Sequence, residues 1–185
     1  MTLRVDDLSV SIGARRLVYP IGFTVEPGRP LVILGETGAG KSLIAQAIMG
    51  SLPRGLTASG GVWLDGARID ALPRRGREAL WGRRLAILPQ EPWRALDPLM
   101  RSLSQVAETH ALVAGKDWES APGLARADLA DLGLGEEAAA ARPGQLSGGM
   151  AQRVAFAAAT AAGARVLLAD EPTKGLDDAR RDDVA

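Results

Sequence analysis

Cysteine is absent from this chain, histidine occurs once, and aromatic residues make up only 4% of the sequence. Without thiols there can be no disulfide framework and no thiolate chemistry, and the composition fits a reducing compartment. Neither sign of charge dominates, since 22 basic residues balance 22 acidic ones. A general nucleic-acid binder, which needs a basic surface, is therefore not expected.

Long apolar runs are also missing. The first seven residues lack the apolar core of a signal peptide, and the longest weakly polar run, residues 153–165, is too short to span a bilayer. Any membrane component must therefore come from another chain. What the sequence does contain is 185 residues with 46% hydrophobic content, enough for one domain with a real core and a subdomain.

The stretch GETGAGKS has the spacing G-x-x-x-x-G-K-S that is typical of a phosphate-binding loop. It follows the apolar run 31–34, which predicts a short buried strand, and precedes residues 43–49, which predict a helix. Its glycines permit a tight turn, so that successive N–H groups and the helix N-terminus can surround a phosphate. Lys41 can reach the β- and γ-phosphates and Ser42 can ligate Mg²⁺; the alternative is a glycine-rich turn with a surface lysine. The predicted nucleotide-binding positions of this loop are Gly35, Glu36, Thr37, Gly38, Ala39, Gly40, Lys41 and Ser42.

The remaining patterns predict an α/β fold. Alternating residues in 2–25 and a turn signal at 65–66 indicate antiparallel hairpins, whereas apolar runs indicate buried strands. The further predicted elements are a turn at 27–28, a helix from Pro73 to about Trp81, strands at 85–88 and 166–169, and helices at 100–114, 121–132 and 150–162. We expect one domain over residues 1–185, with residues 1–90 and 146–185 as the α/β core and residues 91–145 as a helical subdomain.

Two acidic residues, Asp170 and Glu171, come directly after the last predicted strand. Open α/β sheets bind ligands at this edge, so Asp170 can hold Mg²⁺ and Glu171 can polarise an attacking water as a general base. The alternative is an acidic strand end that caps the next turn. Upstream, Ser147 is a natural N-cap before two glycines, Gly148 and Gly149, which makes a second helix start suited to an anion. One nucleotide needs only one phosphate loop, so this second start suggests a nucleotide bound by a partner.

The order of GETGAGKS, Gln90, LSGGM, VLLADE and Gly175-Leu176-Asp177 resembles the ATP-binding cassette (ABC) ATPases over essentially the whole chain. The resemblance implies a P-loop NTPase (RecA-like) core with a mostly parallel sheet, an antiparallel β edge region and an inserted α-helical subdomain. It implies catalytic roles for Glu171, Gln90 and Lys41, and Mg²⁺ ligation by Ser42, Gln90 and Asp170. It further implies that Ser147, Gly148 and Gly149 contact the γ-phosphate bound by the opposite subunit, with Asp177 at the dimer interface.

The stretch from Gln90 to Pro98 is similar to the QDPxxxLNP motif of the peptide and nickel importer branch of the family. This finer resemblance implies hydrolysis of ATP with Mg²⁺ to energise import of peptides, nickel or similar small solutes. The implied partners are a second ABC ATPase subunit in a head-to-tail dimer, membrane-spanning permease subunits and a solute-binding protein. The implied location is the cytoplasmic side of the cell membrane, with peripheral attachment.

Several positions depart from the family pattern. Ile12 stands where the family has an aromatic residue that stacks on adenine, and Tyr19 lies closer to the loop than that residue should. Lys174 replaces a small residue. The family's switch histidine belongs to a later strand, so we expect a chain that is incomplete at its C-terminus, with poor turnover of its own; we interpret His110 as a solvated helix residue.

Scattered residues have a simpler interpretation. We expect the four tryptophans to pack rather than to stack on a base, although Trp93 is a candidate contact for a membrane partner. We also expect the basic cluster to be a solvated face. The residues concerned are Trp63, Trp81, Trp93, Trp118, Arg74, Arg75, Arg77, Arg83 and Arg84.

Two other functions remain open on sequence grounds: a non-transport ABC ATPase in translation or DNA maintenance, and a truncated nucleotide-binding module with little hydrolysis. The first is disfavoured by the lack of a second cassette, a long coiled coil and a basic arm.

Overall fold

The computed structural model describes residues 1–171, so Lys174 and Asp177 lie outside the described part of the chain. The chain forms two compact units, Met1–Trp81 and a second unit that begins at Gly82. The strands are β1 Leu3–Ile12, β2 Arg15–Val25, β3 Leu56–Leu64, β4 Ala67–Arg68, β5 Leu85–Leu88 and β6 Val166–Ala169. The helices are α1 Lys41–Met49, α2 Arg74–Glu78, α3 Ser102–Glu108, α4 Ala121–Asp131, α5 Glu136–Ala140 and α6 Gly148–Thr160.

An antiparallel sheet in the order β2-β1-β3-β4 forms the first unit. The predicted hairpins are confirmed: β1 and β2 pair with Leu3 opposite Val25, and β3 turns into β4 with Leu64 opposite Ala67. The inward residues of β1 and β3 are almost fully buried because alternate side chains of a strand share one face. Helix α1 packs on β1 through buried residues such as Ile44 and Ile48, which fixes the helix that starts at the phosphate loop.

The prediction of a buried strand at residues 31–34 is wrong. No strand is formed there, and Leu31, Val32 and Leu34 are 45%, 73% and 87% exposed. An apolar run becomes a strand only when neighbouring strands accept its backbone hydrogen bonds, and composition does not show whether such neighbours exist. Pro30 precedes the run and has no backbone N–H, so it cannot donate a hydrogen bond to a neighbouring strand.

In the second unit, β5 and β6 form a parallel pair with Leu85 opposite Val166, as the two apolar runs predicted. Helix α6 packs on β5, α3 and α4. A single apolar cluster links these elements, and Val106, Leu129 and Val154 are fully buried in it. The predicted helices are confirmed with small shifts at their ends; α5 was missed because its five residues, EEAAA, are too few to show a helical period.

The interpretation of His110 as a solvated residue is also wrong. Its side chain is 8% exposed, and its Nε2 atom lies 2.7 Å from Oδ2 of Asp128 on α4. The helix that starts at Ser102 continues as a π-helical turn over Thr109–Val113, which contains His110. The extra residue in that turn changes the face that a 3.6-residue period assigns.

The predictions for the tryptophans and the basic cluster are confirmed only in part. Trp63 lies against two guanidinium groups, with Arg4 at 4.4 Å from the ring centroid, whereas Trp118 is 59% exposed and therefore not packed. Arg74 is exposed, as predicted, but Arg77 is half-buried and bonded to α1, which corrects the prediction of a solvated face.

Within residues 1–171, no helix has the length and apolar character needed to cross a bilayer.

Candidate functional site

The phosphate loop runs into α1 without a side-chain cap. Gly40 is the N-cap residue at φ 90°, and because it is a glycine this position makes no side-chain bond to the first-turn amides. Gly38 also has a left-handed conformation, at φ 87°, and a turn closes between the N–H of Ala39 and the carbonyl of Glu36 at 3.1 Å. The first N–H groups of a helix have no partner within the helix and carry its positive dipole end. The loop therefore presents the donors and the potential that a phosphate requires.

Lys41 folds back over the loop. Its Nζ atom donates hydrogen bonds to the carbonyl oxygens of Gly35 at 2.7 Å and Glu36 at 3.0 Å. Ser42 follows in the first turn of α1 and its side chain is exposed. The ammonium group and the hydroxyl thus lie at the same end of α1 as the glycine turn, as the motif predicted.

Strand β2 supports the loop from behind. A Cβ atom added to Gly40 would lie 2.6 Å from Cγ2 of Val18 and 3.6 Å from the carbonyl oxygen of Leu17. The loop backbone therefore packs directly on β2, and only glycine fits at this position. Sequence reasoning missed Val18, because alternation along a strand indicates burial but does not name the partner.

Neither position considered for stacking on adenine, Ile12 or Tyr19, is a buried aromatic residue. Ile12 is 49% exposed and Tyr19 is 73% exposed. The guanidinium of Arg16 lies 5.8 Å from the Tyr19 ring centroid, so that ring already has a cationic neighbour.

The second unit brings three predicted residues together at the carboxyl ends of its parallel strands. Asp170 continues the pairing beyond β6, since its N–H donates to the carbonyl of Leu88 at 2.9 Å. Gln90 follows β5, and its Nε2 atom donates to Oε2 of Glu171 at 2.6 Å. Glu171 is held at φ 50°, a conformation that non-glycine residues seldom adopt and that is often found at functional positions.

The second predicted anion site is a capped helix start. Ser147 is the N-cap residue of α6, and its Oγ atom accepts a hydrogen bond from the N–H of Met150 at 3.3 Å. Ser147 and Gly148 are both exposed, so the first turn of this 13-residue helix is open to a ligand. An open groove of about 240 Å³ lies beside it, lined by Trp93, Pro143, Gly144, Leu146, Gly148 and Ala151.

No dedicated metal cage is present in residues 1–171, where no three His, Cys, Asp or Glu side chains cluster. Mg²⁺ does not require such a cluster, since it is usually held by one or two protein oxygens together with substrate phosphates. The predicted ligands offer hard oxygen atoms of three kinds: the hydroxyl of Ser42, the amide oxygen of Gln90 and the carboxylate of Asp170. The donation from Gln90 Nε2 leaves Oε1 as the atom of that amide suited to a cation.

Taken unit by unit, the structure contains a glycine loop on a helix N-terminus, and a parallel strand pair that ends in a carboxylate. These features define a phosphate-loop NTPase, and the α/β class predicted from the sequence is confirmed.

Comparison with known proteins gives the family. The model of the ABC transporter family matches residues 18–174. The chain is 31% identical over 184 residues to "Oligopeptide transport ATP-binding protein OppD" of Bacillus subtilis, covering 95% of this chain and 51% of that protein. It is 35% identical over 186 residues to "Peptidoglycan transport ATP-binding protein YejF" of Agrobacterium fabrum, covering 95% of this chain and 34% of that protein.

Among solved structures, the ATP-binding cassette MJ0796, described as a dimer in a post-hydrolysis state bound to ADP and Pi, superposes with a TM-score of 0.81 at 25% identity. That match covers 96% of this chain and 77% of MJ0796. The chain belongs to the ABC transporter family of ATP-binding proteins. It spans about half the length of OppD, or less for YejF, and the predicted resemblance to this family is confirmed.

Proposed function

We propose that this chain binds Mg-ATP, hydrolyses it as one subunit of a head-to-tail dimer, and so energises import of peptides, nickel or similar small solutes. The observation that carries the proposal is the Lys41 ammonium, held over the glycine loop at the N-terminus of α1. Both of its partners are backbone carbonyls of the loop itself, so the positive charge lies at the glycine turn without an acidic side chain among those partners.

Binding rests on the loop. Its backbone N–H groups surround the β- and γ-phosphates, and Lys41 exchanges its two carbonyl partners for charged phosphate oxygens. Bonds between an ammonium and a phosphate are stronger than bonds to neutral carbonyls. Residues 35–42 are therefore assigned to nucleotide binding.

Hydrolysis rests on the second unit. Glu171 is the proposed general base, which accepts a proton from the water that attacks the γ-phosphorus. Gln90 holds that carboxylate through the 2.6 Å hydrogen bond from Nε2 and so fixes its orientation. When Mg²⁺ is bound, it neutralises phosphate charge; Ser42, Gln90 and Asp170 are the residues proposed to hold it.

The capped start of α6 supports the dimer. We assign Ser147, Gly148 and Gly149 to the γ-phosphate of the nucleotide on the opposite subunit, because one chain offers two anion-binding helix starts. Asp177, outside the described residues, is proposed to lie at the same interface. The dimeric state named for MJ0796 supports this assembly.

The class of solute is proposed from the relatives, which are named for transport of oligopeptides and peptidoglycan. The importer assembly requires membrane-spanning permease subunits, a solute-binding protein and peripheral attachment at the cytoplasmic face of the membrane. The helical subdomain of residues 91–145 is proposed to face those permease subunits.

Titration calorimetry with Mg-ATP tests nucleotide binding. Lys41→Ala should abolish tight binding, because the single cation placed by the loop is lost, whereas the matched variant Lys116→Ala should bind as the wild type does. Equal affinity of the Lys41→Ala variant would contradict the assignment of the loop.

Phosphate release tests hydrolysis. Glu171→Gln keeps the shape of the side chain but removes the base, so the variant should bind Mg-ATP normally and stall turnover. The measurement needs the chain together with its partner ATP-binding subunit. Rapid turnover by Glu171→Gln would exclude Glu171 as the base, and binding with no turnover by the wild-type assembly would identify a nucleotide-binding module.

A further inference from the structure

The C-terminal end of α1, opposite the phosphate loop, is bound by two side chains of the following segment. Nη2 of Arg77 donates to the carbonyl oxygens of Ala47 at 2.9 Å and Ile48 at 3.0 Å. Nε1 of Trp81 donates to the carbonyl oxygen of Met49 at 3.1 Å. The last carbonyls of a helix have no partner within the helix. The backbone N–H groups of Gly50 and Ser51 bond to two of them here, the carbonyls of Ala47 and Gln46, and the two side chains add bonds to Ala47, Ile48 and Met49. We call Arg77 and Trp81 the α1 clamp.

The approach of Arg77 depends on Gly50. This residue ends α1 at φ 75°, and a Cβ atom there would clash with the Arg77 guanidinium. Arg77 is half-buried, and this burial lowers the pKa of its guanidinium while the charge of Asp70 opposes the shift. A buried cation at the negative end of a helix dipole is a favourable placement. Arg74, one turn earlier on α2, is exposed and pairs with Glu78 instead.

The two ends of α1 differ in how they are held. Its N-terminal end has a glycine as N-cap and therefore no N-cap side-chain bond, and the Lys41 bonds there stay within the loop that leads into the helix. The Arg77 and Trp81 bonds at the C-terminal end instead tie α1 to the segment of residues 74–81. Helix α1 has nine residues and is therefore about 13 Å long. If this short helix behaves as a rigid element, a shift at Met49 is passed on to Lys41.

We infer that Arg77, assisted by Trp81, is a positioning residue for the phosphate loop, and that α2 thereby sets the affinity of the site for nucleotide phosphates. This inference rests on the proposed nucleotide binding. The clamp acts through α1 and does not touch the ligand.

The test compares four variants of the 185-residue chain by their affinity for fluorescent Mg-ADP and Mg-ATP and by their melting temperatures. Arg77→Met keeps the length of the stem and removes the donors, so both affinities should fall about tenfold, the scale expected for losing hydrogen bonds from a charged donor. Arg77→Lys should restore part of the affinity because an ammonium can still reach a carbonyl. Arg74→Met is the matched control and should bind as the wild type does.

The fourth variant distinguishes positioning of the phosphate loop from a general loss of stability. Val62→Ala removes buried volume from β3 of the same unit and should lower the melting temperature without changing affinity at a temperature where the chain is folded. Equal affinity of Arg77→Met and the wild type would overturn the inference, as would an equal loss in Val62→Ala. Failure of the wild type to bind would instead contradict the proposed function.

If Arg77→Met does not fold, the Trp81→Phe variant tests the inference in its place. It keeps the ring and removes only the bond to Met49, so affinity should fall by about two- to fivefold, the scale of one neutral hydrogen bond. Unchanged affinity of the folded Trp81→Phe variant would then overturn the inference.

Discussion

Gly40→Ala is the substitution that tests the phosphate loop most directly. The added methyl group would meet Cγ2 of Val18 at 2.6 Å, and the backbone there has φ 90°. Both effects raise the free energy of the folded state. The left-handed conformation costs a residue with a Cβ atom about 1–2 kcal/mol, and overpacking a filled site costs about 1–3 kcal/mol more.

The sum, about 2–5 kcal/mol, is a large share of the stability of a typical domain, about 5–15 kcal/mol. Gly38→Ala separates the two effects. Gly38 has nearly the same conformation, at φ 87°, but a Cβ atom there meets nothing within 4 Å. We therefore expect Gly38→Ala to show the conformational cost alone, and the difference between the two variants to report the contact with Val18.

Urea unfolding followed by tryptophan fluorescence measures both costs, and Trp63 and Trp81 report on the first unit. A third variant, Gly40→Ala with Val18→Ala, opens the space that the methyl group needs. Residues in contact show coupling energies of about 0.5–3 kcal/mol, so the double variant should be more stable than the sum of the two single changes predicts. Strict additivity, or equal costs for Gly38→Ala and Gly40→Ala, would refute packing of the loop on β2.

Two further predictions concern stability. Ser147→Ala should lower the free energy of unfolding by about 1 kcal/mol, because it removes the N-cap bond of α6; an unchanged free energy of unfolding would contradict the cap. Burial by itself raises the pKa of Asp70, but hydrogen bonds from Arg68 and the N–H of Val62 outweigh it and hold the pKa below its usual value. The stabilisation is therefore present above the unfolded pKa, near 4, and is lost as the pH falls through the lower folded pKa. Asp70→Asn should be less stable than the wild type at pH 7, and thermal unfolding should show this difference shrinking as the pH falls through the folded pKa; a difference that does not shrink in acid would contradict this reasoning.

Local patterns predicted most of the fold. The turn at Asp65, the apolar alternation of β1, and the runs that became β5 and β6 were all visible, because each depends on a few neighbouring residues. The bond between Gln90 and Glu171 was not predicted as a contact, although both residues were named. It joins residues 81 positions apart, and parallel pairing of β5 and β6 is what brings them together.

The failures share a physical cause. Residues 31–34 are apolar enough for a strand, but a strand is a property of a pair, and a single run contains no information about its partner. His110 and Arg77 were judged from polarity alone, whereas their burial depends on Asp128 and on the carbonyls at the end of α1. In each of these cases the deciding group is distant in the sequence.

The two hydrogen bonds of Lys41 bear on selectivity among ligands. Because the ammonium already has two carbonyl partners at 2.7 and 3.0 Å, a ligand gains only the difference between its own oxygens and those carbonyls. A neutral ligand offers no gain over a carbonyl, whereas a phosphate offers a full opposite charge. Under the proposed function, the contacts that the loop makes with its own lysine therefore favour phosphorylated ligands over uncharged nucleosides.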